Sequence, residues 1–224
     1  MTFSISARCP ETGMMGIAIS SSSPAVAARC SHARAGAGVV ATQNITDPSL
    51  GPKGLDLMAG GLRADKALGK LLANYPTAPW RQVVLLDMQG MSAVHSGEHT
   101  LGTHATARGK DCAAAGNLLA NADVPASLVA AFEASKGHLG DRLIAAMRAG
   151  MAAGGEAGPV HSAGLYMVRD VSWPIADLRV DWAEHDPIGE LAALWSLYKP
   201  QLEDYVTRAI DPTAAPSYGV PGDL

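Results

Sequence analysis

The first twenty residues constrain the fold most, because their side chains alternate with the period of a β-strand. Hydroxyl-bearing and apolar side chains alternate from residue 2 to residue 7, in the order Thr2, Phe3, Ser4, Ile5, Ser6 and Ala7. Residues 10–13 contain a proline and a glycine and predict a turn, and a second apolar run follows at residues 15–19. The sequence therefore predicts an antiparallel hairpin at the start of the chain.

The rest of the chain predicts strands, then helices, then strands and a helix again. Further strands are expected at residues 37–43, 83–87, 91–96, 112–115, 163–168 and 179–182. Helices are expected as a short pair within residues 54–73, at 125–132, at 139–152 and from Pro187 onward, where Asp186 is a good cap. This order predicts one α+β domain over residues 1–224, in which helices cover two sheets, with a turn-rich tail from about residue 211.

Composition excludes several classes of protein. The net charge is -4, so there is no basic stripe of the kind that binds nucleic acid. No apolar run approaches the length that spans a membrane, and we expect no membrane partner. The three cysteines, Cys9, Cys30 and Cys112, form no CxxC pair and fit a reducing compartment. The sequence thus predicts a cytoplasmic protein.

A glycine-rich segment resembles a dinucleotide-binding pattern only in its letters. Residues 36–41 read Gly-Ala-Gly-Val-Val-Ala and lead into a predicted strand. That pattern binds a pyrophosphate at the N-terminus of a helix, which is absent from the prediction here. We therefore expect a tight turn and no cofactor.

Thr2 is the strongest candidate for a catalytic residue. It is small enough that the initiator methionine would ordinarily be removed, which would give one residue both a hydroxyl and a free α-amine. An α-amine has a pKa near ~7.7, so a useful fraction is neutral at physiological pH and can take the hydroxyl proton. A β-branched residue at the start of a strand is the purely structural alternative.

Several segments together resemble the bacterial family called domain of unknown function 1028. The similarity is carried by residues 1–5, 10–13, 21–26, 34–43, 47–55, 116–119 and 181–187. The resemblance implies the four-layer αββα sandwich of the N-terminal nucleophile (Ntn) hydrolases, and it implies no substrate. The proteasome branch of that superfamily keeps a lysine beside its threonine, whereas this chain has none close to its third strand. Activation is therefore expected to use the α-amine and neutral hydrogen-bonding groups.

Polar residues at predicted strand ends complete the expected site. Asn117 follows Gly116 at the end of a strand, where its amide can donate to a developing oxyanion, and a turn asparagine is the structural alternative. The residues expected to bind substrate are Ser21, Ser22, Thr42, Gln43, Asn44 and His161.

Three functions stay open at this stage. The first is an amidohydrolase that cleaves the C–N bond of a small amide, ureido or acyl-amino compound. The second is a non-catalytic protein that binds a small molecule on the same scaffold. The third is a metal-dependent hydrolase that uses His95, Glu98, His99 and His104, although their spacing would share one face only on a helix.

The last quarter of the chain also predicts self-association. It concentrates large aromatic side chains in a protein whose aromatic content is 5%. Such side chains favour the cores of interfaces, and we expect a homo-oligomer. The residues concerned are Trp173, Trp182, Trp195 and Tyr198.

Overall fold

The computed structural model describes residues 1–220 and shows an α+β protein with two antiparallel sheets. The predicted tail is described from residue 211 to residue 220, while its Pro221 and Gly222 lie outside the described residues.

The larger sheet has six strands and contains the predicted N-terminal hairpin. Its strand order is β10-β9-β2-β1-β8-β7, so that β1 lies between β2 and β8. The strands are β1 (Thr2–Arg8), β2 (Met15–Ser21), β7 (Ala105–Gly109), β8 (Cys112–Asn117), β9 (Ser162–Val168) and β10 (Ala176–Val180).

The smaller sheet has four strands in the order β3-β4-β5-β6. They are β3 (Ser31–Arg34), β4 (Gly38–Asn44), β5 (Arg81–Asp87) and β6 (Ser92–Ser96). The glycine-rich segment therefore leads into β4, as expected from the sequence. The two sheets pack face to face, with β1 and β2 against β4, and β8 against β5.

Helices cover the outer face of each sheet. α2 (Leu50–Ala59) and α3 (Ala64–Leu72) lie on the smaller sheet, and α4 (Val124–Ala134), α5 (Leu139–Ala152) and α6 (Pro187–Tyr198) lie on the larger one. The short α1 (Val26–Cys30) follows β2, and α7 (Leu202–Ile210) follows α6. As predicted, Asp186 caps α6, because its Oδ1 accepts from Gly189 N at 2.9 Å.

Three strands differ from the prediction. β3 has only four residues, and β7 mixes alanine with Thr106 and Arg108, so neither shows a clear hydrophobic period. Both were missed from the sequence. β10 begins at Ala176 and ends at Val180, earlier than the predicted strand at residues 179–182.

The strand β1 is buried on both faces. Phe3, Ile5 and Ala7 belong to the core that α4, α5 and α6 form against the larger sheet. Ser4 faces the smaller sheet, where its hydroxyl donates to Gln43 Oε1 at 2.8 Å. The alternation in β1 therefore separates a helix-facing side from a sheet-facing side.

The structure also bears on the expectations about membrane spans, cysteines and exposed aromatic side chains. No helix among residues 1–220 is long and apolar enough to cross a membrane. The three cysteines are free and buried, and burial raises the pKa of Cys112 to about 12. Trp195 is buried in the core of its own chain, whereas Trp182 is 49% exposed. Self-association stays a prediction.

Candidate active site

Thr2, Ser21 and Asn117 meet at one edge of the larger sheet. Thr2 starts β1 and pairs with Asn117, the last residue of β8. Phe3 pairs with Ser20, so Thr2 also lies opposite Ser21 at the end of β2. Directly opposed residues of antiparallel strands project their side chains to the same face, and here that face is the one toward the smaller sheet.

The hydroxyl groups of Thr2 and Ser21 both contact the Met1 carbonyl. Thr2 Oγ1 donates to Met1 O, and Ser21 Oγ donates to the same oxygen at 2.5 Å. The two hydroxyl oxygens are 3.5 Å apart, and Ser23 N donates to Ser21 Oγ at 3.0 Å. A carbonyl oxygen thus already lies where the side chains of β1 and β2 can donate to it.

Glu156 brings a buried carboxyl group to this edge. Its side chain is 4% exposed, and both carboxyl oxygens lie 3.2 Å from Ser22 N, which donates to them. Its backbone forms a bridge with Leu119, two residues after Asn117. Burial raises the pKa of Glu156 to about 7, although the positive charge of the amino terminus and the Ser22 contact act to lower it. Glu156 is therefore a buried carboxyl group whose pKa responds to the charge of the amino terminus.

A hydrogen-bonded network centred on Gln82 lies beneath these residues. Gln82 Nε2 donates to Gly116 O at 3.0 Å and to Ser96 Oγ at 2.9 Å. Gln82 Oε1 accepts from Gln43 Nε2 at 2.8 Å and from Asn117 Nδ2 at 3.1 Å. The network joins β4, β5 and β6 of the smaller sheet to β8 of the larger one.

The orientation of the Asn117 amide follows from this network. Gly116 O can only accept, so the Gln82 atom beside it must be the nitrogen, and the Asn117 atom beside Gln82 Oε1 must be a donor. The remaining atom, Asn117 Oδ1, is buried and has no hydrogen-bond partner among residues 1–220. The next residue, Leu118, has φ 52°, a left-handed conformation that is costly for leucine and occurs more often at functional sites.

The three polar residues that end β4 do not act as one group. Gln43 belongs to the Gln82 network, whereas Thr42 Oγ1 donates to Asp47 O at 3.2 Å. Asn44 Nδ2 donates to Trp80 O at 2.7 Å, and its Oδ1 accepts from Leu101 N at 3.2 Å. Only Gln43 is therefore linked by hydrogen bonds to Asn117.

His161 and Ser22 adjoin the site through their backbones. His161 N donates to Ser21 O at 2.8 Å, but its ring stacks on Trp182 at 4.3 Å and contacts Ala183 O through Nδ1 at 2.9 Å. Ser22 contributes its N–H to Glu156. Their predicted contact with substrate is untested.

The four residues of the predicted metal set have separate partners. His95 Nε2 lies 3.0 Å from Ala78 O, and His104 Nδ1 lies 3.0 Å from Gly102 O. His99 lies against Trp80 and 3.5 Å from Glu98. Within residues 1–220, no three His, Cys, Asp or Glu side chains form a group that could hold a metal ion.

Thr2 is enclosed while Met1 is present. Its exposed fraction is 6%, and Met1 lies over it with its side chain toward Gly158. A cavity of about 590 Å³ opens instead at the other end of β1, where Arg8, Asp111 and Arg142 contribute to its lining. With Met1 in place, the Thr2 side chain is therefore closed to solvent.

Glu156 and Gln82 were missed from the sequence. Glu156 follows the pair Gly154-Gly155 and precedes Ala157 and Gly158, a stretch that predicts only a loop. Gln82 directly precedes an apolar run and resembles a residue at a strand boundary. The one available signal was the placement of polar residues at several predicted strand ends, which identified Gln43 and Asn117 but not their common partner.

A protein-family model and a solved structure both match nearly the whole chain. The model of a family of unknown function, DUF1028, matches residues 2–191. The crystal structure of protein SPO2555 from Silicibacter pomeroyi, a DUF1028 protein, is similar at a TM-score of 0.84 and 27% identity, over 93% of each chain. Anbu (ancestral beta-subunit) from Yersinia bercovieri gives a TM-score of 0.37 and 9% identity over 92% of this chain and 97% of its own, too low to indicate a shared fold. No curated protein matches the chain.

Proposed function

Because the chain belongs to the DUF1028 family, whose function is unknown, we propose a function from its site: an N-terminal-threonine amidohydrolase that cleaves the C–N bond of a small amide, ureido or acyl-amino compound. We further propose that its helix-covered sheets are the four-layer αββα sandwich of the Ntn hydrolases. The observation that carries the proposal is the Thr2 hydroxyl, which lies beside Ser21 with a carbonyl oxygen between them.

In the proposed reaction, Met1 is first removed and Thr2 becomes the terminal residue. The α-amine of Thr2 takes the hydroxyl proton, and Oγ1 attacks the acyl carbon of the substrate. The C–N bond breaks as the leaving amine takes that proton from the α-ammonium. Water, deprotonated by the same amine, then hydrolyses the ester, releases a carboxylic acid and returns Thr2 to its starting form.

Two side chains support the proposal because they can donate hydrogen bonds to the oxyanion. Ser21 Oγ donates to the Met1 carbonyl at 2.5 Å, and after Met1 leaves this hydroxyl is free to donate to a substrate acyl oxygen. Asn117 Nδ2 uses one N–H on Gln82 and has a second N–H for the same purpose. Loss of one such donor typically lowers kcat ~10²- to 10³-fold.

Glu156 supplies a charged group that the sequence-based expectation lacked. The Glu156 carboxyl feels the positive charge of the amino terminus that Met1 carries. We expect it also to stabilise the α-ammonium that forms on Thr2 when the α-amine takes the hydroxyl proton. The neutral groups around Thr2 are therefore supplemented by one acid, and no lysine is required for this role.

A panel of small amides, ureido compounds and N-acyl amino acids tests the proposal. We expect turnover by the protein that begins at Thr2, retention of some turnover by Thr2→Ser, and loss of at least ~10³-fold by Thr2→Ala. Unfolding curves of the three proteins control for folding. Equal turnover by Thr2→Ala and the parent protein would exclude Thr2 as the nucleophile.

A binding protein is the second candidate, and one observation favours it. Met1 is accommodated with its carbonyl bonded to two hydroxyl groups, as expected if it were retained in the working protein. This alternative predicts that a ligand found in the same panel binds without turnover, and that Thr2→Val leaves its affinity unchanged. Turnover of any panel compound that depends on Thr2 rejects it.

A further inference from the structure

The unpartnered oxygen of Asn117 is unusual for its surroundings. Asn117 is 1% exposed, and its neighbours Gln43, Gln82 and Ser4 all have hydrogen bonds. A buried acceptor without a donor is unfavourable, and most such groups in folded proteins have a partner. The Gln82 network fixes the amide orientation, so rotation of the amide cannot remove the problem.

The strand pairing places the Thr2 nitrogen beside Asn117. Arg8 N donates to Asp111 O at 2.9 Å, so Arg8 and Asp111 form a hydrogen-bonded pair of β1 and β8. Such pairs recur at every second residue of an antiparallel ladder. The series therefore reaches Thr2 and Asn117, which are paired in the same register. The Thr2 nitrogen consequently faces β8, and its single N–H is used by the Asn117 backbone carbonyl.

Removal of Met1 changes the number of protons on this nitrogen. As part of a peptide bond it carries one N–H, and none is left for a second acceptor. As a terminal amine it carries two, and as an ammonium three. Resting on the proposed function, we infer that Asn117 is a positioning residue, whose Oδ1 accepts a hydrogen bond from the α-amine of Thr2 once Met1 has gone.

This hydrogen bond has a catalytic consequence. It fixes the direction of the amine on a strand end that would otherwise allow rotation about the N–Cα bond, so that the lone pair stays on the side of the Thr2 hydroxyl. The second N–H of the same Asn117 amide is the one that the proposed function assigns to the oxyanion. One side chain would orient the base and assist the acyl oxygen.

The test measures the α-amine itself, in protein released from a fusion whose cleavage leaves Thr2 first. The ¹⁵N chemical shift of the Thr2 amine, in protein labelled with ¹⁵N-threonine, reports the amine pKa through its pH titration and leaves the amine hydrogens in place. Because an acceptor stabilises the ammonium, we expect Asn117→Leu to lower this pKa by about one unit. Ser96→Ala removes a different hydrogen bond of the Gln82 network and should leave the amine pKa unchanged.

Two other groups that feel the terminal charge must be followed in the same titration. They are the Glu156 carboxyl and the Cys30 thiol, whose pKa burial raises and the amino terminus lowers. Glu156→Gln therefore serves as a second reference, because its effect on the amine should be additive with that of Asn117→Leu if each acts independently.

A measurement without mutation covers the case in which Asn117→Leu fails to fold. The Asn117 Cγ chemical shift should titrate with the midpoint of the amine in protein that begins at Thr2, and should not do so in protein that retains Met1. A Cγ signal that ignores the amine titration overturns the inference, as does an unchanged amine pKa in folded Asn117→Leu. Protein that shows the coupling but no turnover retains the inference and rejects the proposed hydrolase.

Discussion

The space between the two sheets has an apolar end and a polar end. At the apolar end, Val39 of β4 and Leu86 of β5 pack against Met15 and Ile17 of β2. Val84 lies on the same face of β5 and is also aliphatic, but Gln82, two residues from it, is polar. Gln82 begins the hydrogen-bonded network that reaches Asn117. The change takes place within one repeat of the strand, or ~7 Å.

At its polar end, the space between the sheets contains amide and hydroxyl side chains in place of aliphatic ones. Aliphatic side chains would close the polar end as well, since the backbone pairing continues unchanged through it. Buried amides and hydroxyls stabilise less than aliphatic packing and are costly wherever one is unpaired. Their concentration at the end that holds Thr2 indicates a use other than stability.

The largest predicted contrast is between Thr2→Ala and Leu86→Ala. Thr2→Ala should remove at least ~10³-fold of turnover with little change in unfolding free energy. Leu86 is fully buried, so Leu86→Ala should lower the unfolding free energy by about 3 kcal/mol, while the folded fraction keeps its turnover. Urea unfolding and initial rates on the same samples provide both values. If Thr2→Ala and Leu86→Ala lost similar activity per folded molecule, the polar and the apolar end would not differ in function.

Glu156 gives the second contrast, through pH. Its folded pKa of about 7 is above the ordinary 4.5, so the stability it contributes is complete below pH 4.5 and is lost as pH rises through 7. In protein that retains Met1, Glu156→Gln should match the parent at pH 4 and exceed its unfolding free energy at pH 8 by about 3 kcal/mol.

The control for this experiment is Glu11→Gln, which changes an exposed glutamate in the hairpin turn. It should reproduce the pH dependence of the parent protein. Parallel stability curves for the parent and Glu156→Gln would show that the Glu156 carboxyl is not held in its neutral form by burial.

The smallest contrast lies within β1 itself. Ser4 Oγ donates to Gln43 Oε1 at 2.8 Å, whereas Ser6 Oγ is buried without a partner among residues 1–220. Ser4→Ala should therefore lower the unfolding free energy by about 1 kcal/mol, and Ser6→Ala should raise it by up to about 1 kcal/mol. Thermal unfolding of both variants measures these changes. If both substitutions changed the unfolding free energy in the same direction, the boundary between the polar and the apolar end would not lie between Ser4 and Ser6.

Local patterns predicted most of the secondary structure. The hairpin of β1 and β2 followed from alternation and a turn, and α6 followed from Asp186 and Pro187. The pairing of β1 with β8 joins residues more than a hundred positions apart, and no local pattern specifies it. Resemblance, rather than periodicity, supplied the expectation of how the layers stack.

The candidate site could be predicted only in part for the same reason. Thr2 was identified from its position after Met1, whereas Ser21 and Asn117 were identified as polar residues at strand ends, and the sheet brings all three together. Glu156 is functional in this account because it is buried near the amino terminus, and burial of a loop residue depends on contacts made across the whole fold. Substrate binding by His161 stays a prediction, and its ring stacks on Trp182.

The most direct test is the identity of the N-terminal residue in the preparation that turns over substrate. Intact-mass analysis, with sequencing of the first residues, should show that active protein begins at Thr2 and that blocking its α-amine by acetylation abolishes turnover. Undiminished turnover by protein that retains Met1, in which the Thr2 nitrogen is part of a peptide bond, would contradict the account.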